Sequence, residues 1–183
     1  MSSVTRAVGP SIDLSISFLV DHSIIGNDAY ISNDAYISLA LAPIIMKTHT
    51  TNYYDTFIAV ADDCPAQQGE KPPLKGEKRT VARLQFELIS RNPYCFTSDD
   101  VLFRVYAERK ELTCGELGEA RKAFFSKGQP CLRTSPLAKR YGWGIHCDEA
   151  GKVALYSVGS KEYEAFSNDG RTSVVKAVRS GRR

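Results

Sequence analysis

Long apolar runs are missing from this chain of 183 residues. No segment approaches the roughly 20 consecutive apolar residues that a membrane helix needs, which argues against a spanning protein. A strong charge bias is missing too: Lys and Arg total 24 against 21 Asp and Glu, and a net charge of +3 is far from that of a histone-like tail. Cysteine is sparse. Five residues, an odd number with no C-x-x-C pair, indicate neither a disulfide framework nor a zinc ribbon, so a reducing, cytoplasmic setting is expected. No glycine-rich phosphate loop occurs, since Gly142-Trp143-Gly144 lacks the spacing and strand-to-helix context of a nucleotide fingerprint. What remains, with 43% hydrophobic and 25% charged residues, is an ordinary globular composition at a length suited to one domain.

What is present is unevenly spread. Residues 1–45 hold one basic residue, Arg6, and four acidic ones, Asp13, Asp21, Asp28 and Asp34, for a net of −3; residues 46–183 hold 23 basic and 17 acidic residues, for +6. The first piece has no Lys and contains a tandem hexapeptide, Asn27–Ser32 repeated as Asn33–Ser38, too few copies for a solenoid. Met46 opens the more ordinary sequence MKTHTTNYYDTF. We therefore expect residues 1–45 to be an extension, disordered or a start-site artefact, followed by one domain over 46–179 and a basic tail over 180–183. The competing reading makes Ser11–Val20, which alternates apolar and polar residues, a genuine strand. A secretory or mitochondrial leader fits poorly because Asp13 and Asp21 interrupt the segment and Arg is scarce.

Along residues 46–179, the spacing of Tyr54, Phe57, Ile58 and Ala61 predicts a short amphipathic helix, although Phe57, Ile58 and Val60 also suit a strand. A Pro/Gly loop follows over 62–78. Val81, Leu84, Gln85, Leu88 and Ile89 then predict a helix that stops before Pro93. Thr97-Ser98-Asp99-Asp100 is a helix start with acids at its positive end, running to Arg109. Thr113 with Glu116 suggests a second capping box, ahead of a helix burying Leu117, Ala120 and Phe124. Ser135-Pro136 opens a short helix through Arg140. Trp143, Ile145 and Cys147 alternate with Gly144 and His146 as a strand, and a hairpin at Asp148–Gly151 returns through Val153–Val158. Ser160 caps a helix burying Tyr163 and Phe166, and Ser173–Arg179 reads as a last strand. The order predicts an α+β fold: a helical N-terminal half packed on a small, mainly antiparallel sheet with a β-β-α-β end.

The motifs TNYYDTFI (51–58), PPLKG (72–76), TSDDVLFRVYAER (97–109), FFSKGQPCLR (124–133) and SPLAKRYGWGIH (135–146) resemble an uncharacterised family of small bacterial-type proteins, known only as a domain of unknown function. The resemblance spans Met46 to the C terminus and implies a domain starting near Met46. It implies no activity, cofactor or catalytic residue.

The chemistry must then be read from the residues. Cys131 to Cys147 gathers Arg133, Lys139, Arg140, Tyr141, Trp143 and His146 without one acid. A helix opened by Ser135 beside Arg133 suits a phosphate or carboxylate, with Lys139 and Arg140 a turn further on and Tyr141 and Trp143 as stacking faces. The bland reading pairs the arginines with surface carboxylates and places Trp143 in the core. A thiol enzyme is the rival, with Cys131 as nucleophile, His146 as base and Asp148 orienting the ring. Zinc at Cys114, Cys131, His146 and Cys147 is disfavoured because neighbours 146 and 147 face opposite sides of a strand. Lys75, Lys78 and Arg79 cluster about the Pro/Gly loop, but the net charge is small and acids are interspersed, which fits a solvated surface and disfavours nucleic acid as a partner without excluding it. The expectation carried forward is a binding module for a small anionic or phosphate-bearing ligand at Arg133, Ser135, Lys139, Arg140, Trp143 and His146. It needs no cofactor, metal or membrane, and the sequence assigns it no oligomeric state. A Cys131/His146 enzyme or a protein-interaction module with an exposed aromatic patch is the alternative.

Overall fold

The computed structural model describes residues 48–181, and among them lie four strands and five α-helices. In chain order these are β1 (Thr56–Ala59), α1 (Val81–Arg91), α2 (Ser98–Arg109), α3 (Leu117–Phe125), a 3-10 turn (Leu132–Thr134), α4 (Pro136–Arg140), β2 (Trp143–Cys147), β3 (Val153–Ser157), α5 (Lys161–Asn168) and β4 (Ser173–Lys176). The extension over residues 1–45, with the competing strand at Ser11–Val20 and the tandem hexapeptide, and the last two arginines lie outside the described residues.

The sheet order is β3-β2-β1-β4, antiparallel across the first two pairs and parallel between β1 and β4. The fold is α+β, with helices in the N-terminal half and the β-β-α-β end. One element departs from expectation. Residues 56–59 form a strand, not part of a helix, because they sit between β2 and β4 and are covered on both faces. Such a central strand loses the apolar–polar alternation that marks a half-exposed one.

Its two faces look into different cores. Ile58 joins Ile145, Cys147 and Val153 against Ala82 and Ile89 of α1 and Leu137 and Ala138 of α4. Phe57 and Ala59 face the other way, onto Tyr163 and Phe166 of α5, with the Phe57 and Tyr163 rings edge to face at 5.1 Å. Phe57 and Ile58 are fully buried, each contributing about 1.5–3 kcal/mol of hydrophobic stabilisation. A third cluster, Phe103, Ala107 and Phe125, joins α2 to α3.

The acidic run at 99–100 is structural. Asp100 completes a capping box with Thr97 and takes the Arg121 guanidinium at 2.9 Å. Asp99 accepts the Thr51 N–H and hydroxyl, both at 2.7 Å, and the Thr50 hydroxyl at 2.8 Å. The buried Thr51 and Ser98 hydroxyls lie 2.9 Å apart, so the segment before β1 is fastened to the start of α2. The second box forms by half: Glu116 accepts the Thr113 N–H and hydroxyl, but no side chain caps α3.

Two glycines of GWG are required by close approach. At Gly142, φ is +67° and a side chain would run into the Gln68 carbonyl. At Gly144, a Cβ would lie 2.5 Å from Phe57 and 2.7 Å from Tyr163.

Candidate functional site

Helix α4 has five residues, and its inner face is fixed by Leu137 and Ala138, both fully buried. The next two residues, Lys139 and Arg140, are thereby turned outward. Pro136 occupies the first turn, where its missing N–H costs nothing, and the Ser135 hydroxyl accepts the Leu137 N–H at 3.2 Å. That hydroxyl donates at 2.6 Å to Gln85 Oε1 of α1 in a buried contact. This bond holds α4 against α1 and brings Lys139 and Arg140 toward the start of α1.

Between the two helices runs a groove of about 370 Å³, lined by Thr80, Val81, Ala82, Thr134, Lys139, Arg140 and Tyr141 among others. Among the described residues no carboxylate lines it. Thr80 caps α1 by accepting the Arg83 N–H, while the N–H groups of Val81 and Ala82, in the first turn, have no partner within the helix. The positive end of an 11-residue helix and two cationic side chains therefore share one concavity. Among the described residues neither Lys139 nor Arg140 pairs with a carboxylate. The arrangement can hold an anion by charge and by directed N–H donors together.

The structure does not bring the other expected residues into this groove. Ser135 lies beneath it, 4% exposed and occupied by Gln85. Arg133 turns to the far side of the 3-10 turn, where its Nε donates to the Lys176 carbonyl at 3.1 Å. Trp143 is half-buried against Phe86, its Nε1 donating to the Glu70 carbonyl at 2.8 Å. His146 stands on the opposite sheet face, stacked on Phe166 at 4.1 Å. Its Nδ1 is 2.9 Å from the Tyr94 hydroxyl, which also lies 2.8 Å from that of Tyr156. Burial holds His146 below its ordinary value, against the raising influence of Asp148, Asp55 and Asp169. Burial and the Tyr156 hydroxyl push the Tyr94 phenol up, and Tyr94 has a φ of +58°.

Cys131 and His146 do not converge. Cys131 Sγ sits 3.6 Å from the Tyr53 hydroxyl, on the helical side of the sheet, while His146 is on the α5 side. Cys147 is buried, which pushes its thiol up to about 12. Among the described residues no three His, Cys, Asp or Glu side chains are grouped to hold a metal ion, and no helix is long and apolar enough to cross a membrane.

Tyr141, a candidate stacking face in the sequence, does line the groove, whereas Thr80, Val81 and Ala82 are groove residues that no site motif pointed to. The available signal was Thr80 directly before the apolar pattern starting at Val81, an N-cap placement.

A family model described as a family of unknown function (DUF6157) matches residues 48–183, and the chain belongs to that family. No curated protein and no solved structure matches it.

Proposed function

We propose that this family member is a binding module for a small anionic or phosphate-bearing ligand, held in the groove between the start of α1 and the end of α4. The observation that carries this reading is the groove's lining: Lys139, Arg140 and the N-terminal turn of α1, with no carboxylate among them. Each charge-assisted hydrogen bond to a bound anion contributes about 1.5–3 kcal/mol, so two or three suffice for specific recognition. Its working compartment is reducing and cytoplasmic, a reading supported by all five cysteines being free, two of them exposed.

The test is calorimetric titration of the full chain with phosphate, pyrophosphate and nucleoside mono- and triphosphates. Saturable binding is expected for at least one of them, weakened about tenfold or more by Lys139→Ala and again by Arg140→Ala. Unchanged affinity in the double variant, or no binding by the folded wild-type chain, refutes the assignment.

A further inference from the structure

The groove continues past its own end. On the other side of Thr80 and Val81 lies a second concavity of about 780 Å³, which shares those two residues and is lined by Lys75, Lys78, Arg79 and Arg109, with Glu108 and Glu111. The linings of the two concavities carry six cations against two carboxylates, a net of +4, whereas the whole chain nets +3. The excess positive charge of this protein is therefore concentrated in one band across the start of α1.

The cations in that band are largely uncommitted. Arg79 pairs with Glu87 and Glu108, which removes Glu108 as a partner for the rest. Among the described residues Lys75, Lys78, Arg109, Lys139 and Arg140 pair with no carboxylate. Lys75 and Lys78 are moreover cross-strand partners in a tight turn at Gly76, joined by backbone hydrogen bonds in both directions. Directly opposed like charges disfavour one another, so these two exposed lysines gain from a neighbouring anion.

A ligand that meets both concavities must be elongated and carry several negative charges in a row. Tyr141 in the first groove adds a ring on which a base can stack. Building on the proposed anion site, we infer that its ligand is a single-stranded nucleic acid whose phosphodiester backbone crosses the first turn of α1 from Lys139–Arg140 to Lys75–Lys78.

Anisotropy of a fluorescein-labelled 12-mer single strand, RNA or DNA, titrated with the full chain, tests this alongside pyrophosphate calorimetry. Five phosphate contacts give a slope of about −3.5 in log affinity against log salt, roughly a 100-fold weakening between 50 and 200 mM. Lys75→Ala with Lys78→Ala is expected to reduce that slope by about 1.4 while leaving pyrophosphate affinity unchanged. Tyr141→Leu is expected to weaken the 12-mer more than inorganic polyphosphate. The inference falls if the 12-mer binds no tighter than pyrophosphate, if the Lys75/Lys78 variant is silent, or if a duplex or polyphosphate of equal charge binds as well. Pyrophosphate binding that survives any of these results leaves the small-anion reading standing, whereas loss of all binding removes both.

Discussion

Ser135→Ala removes a single oxygen that serves two helices, and its cost follows from the contacts. The hydroxyl accepts the Leu137 N–H, and losing such a cap costs about 1 kcal/mol. It also donates to Gln85 Oε1, and both residues are under 5% exposed, so the Gln85 carbonyl oxygen loses its donor where water does not reach it. Leaving a buried acceptor unmade costs about 1–3 kcal/mol. The sum is about 2–4 kcal/mol, a drop in Tm of roughly 5–15 °C for a chain of this size. Urea unfolding of the full chain measures it as a fall in midpoint at unchanged slope. The decisive arm is the double variant with Gln85→Leu. Removing both partners abolishes the stranded carbonyl, so the double variant should lose about 1 kcal/mol, less than Ser135→Ala alone. A loss below about 0.5 kcal/mol for Ser135→Ala, or a double variant as unstable as the sum of the two singles, refutes the argument that this bond fastens α4 to α1.

Two further outcomes follow from the buried titratable groups. His146 is held below its ordinary value near 6.5, so the unfolded chain binds its proton more readily; this residue's contribution is fully present above about pH 6.5 and declines as pH falls through that value, so urea midpoints should drop from pH 7 toward pH 5 and His146→Gln should flatten that drop. Cys147, buried and pushed up to about 12, should resist iodoacetamide at pH 8 in the folded chain while exposed Cys95 and Cys114 label, and mass spectrometry showing Cys147 modified first would contradict its burial.

Local chemistry made much of this fold readable. Thr97, Ser135 and Ser160 each begin a helix because their side-chain oxygens take a backbone N–H of the first turn, and that depends only on neighbours in sequence. The β2–β3 hairpin was legible from alternation at 143–147 and the turn residues that follow. Strand β1 was not. Phe57 is buried on one face by Tyr163 and Phe166, and Ile58 on the other by Ala82 and Ile89 together with Leu137 and Ala138, all distant in sequence, and their spacing with Tyr54 and Ala61 happens to match a helical repeat. The candidate site divides in the same way. Lys139 and Arg140 stand out as neighbouring cations, but the helix end that faces them belongs to Val81 and Ala82, and the two are brought together by tertiary contacts, the Gln85–Ser135 bond and the packing of Ala82 with Leu137 and Ala138. His146 was grouped with Trp143 by nearness in sequence; a separation of three along a strand sets such residues on opposite faces.

The central position of β1 bears on how the chain can fold during its synthesis. β1 leaves the ribosome first, yet Trp143, which opens its antiparallel neighbour, is made 84 residues after Ala59, and the parallel neighbour comes later still. At 5–20 residues per second the nascent chain carries Phe57 and Ile58 for about 4–17 s before either edge of the strand can be paired. Helices α1 to α3 emerge within that interval, and α1 brings Ala82 and Ile89 to Ile58, so this contact and the Thr50–Asp99 fastening are available well before the sheet is complete. Assembly of the sheet is thus the late event: both hydrogen-bonding edges of β1 wait for strands made more than 80 residues later.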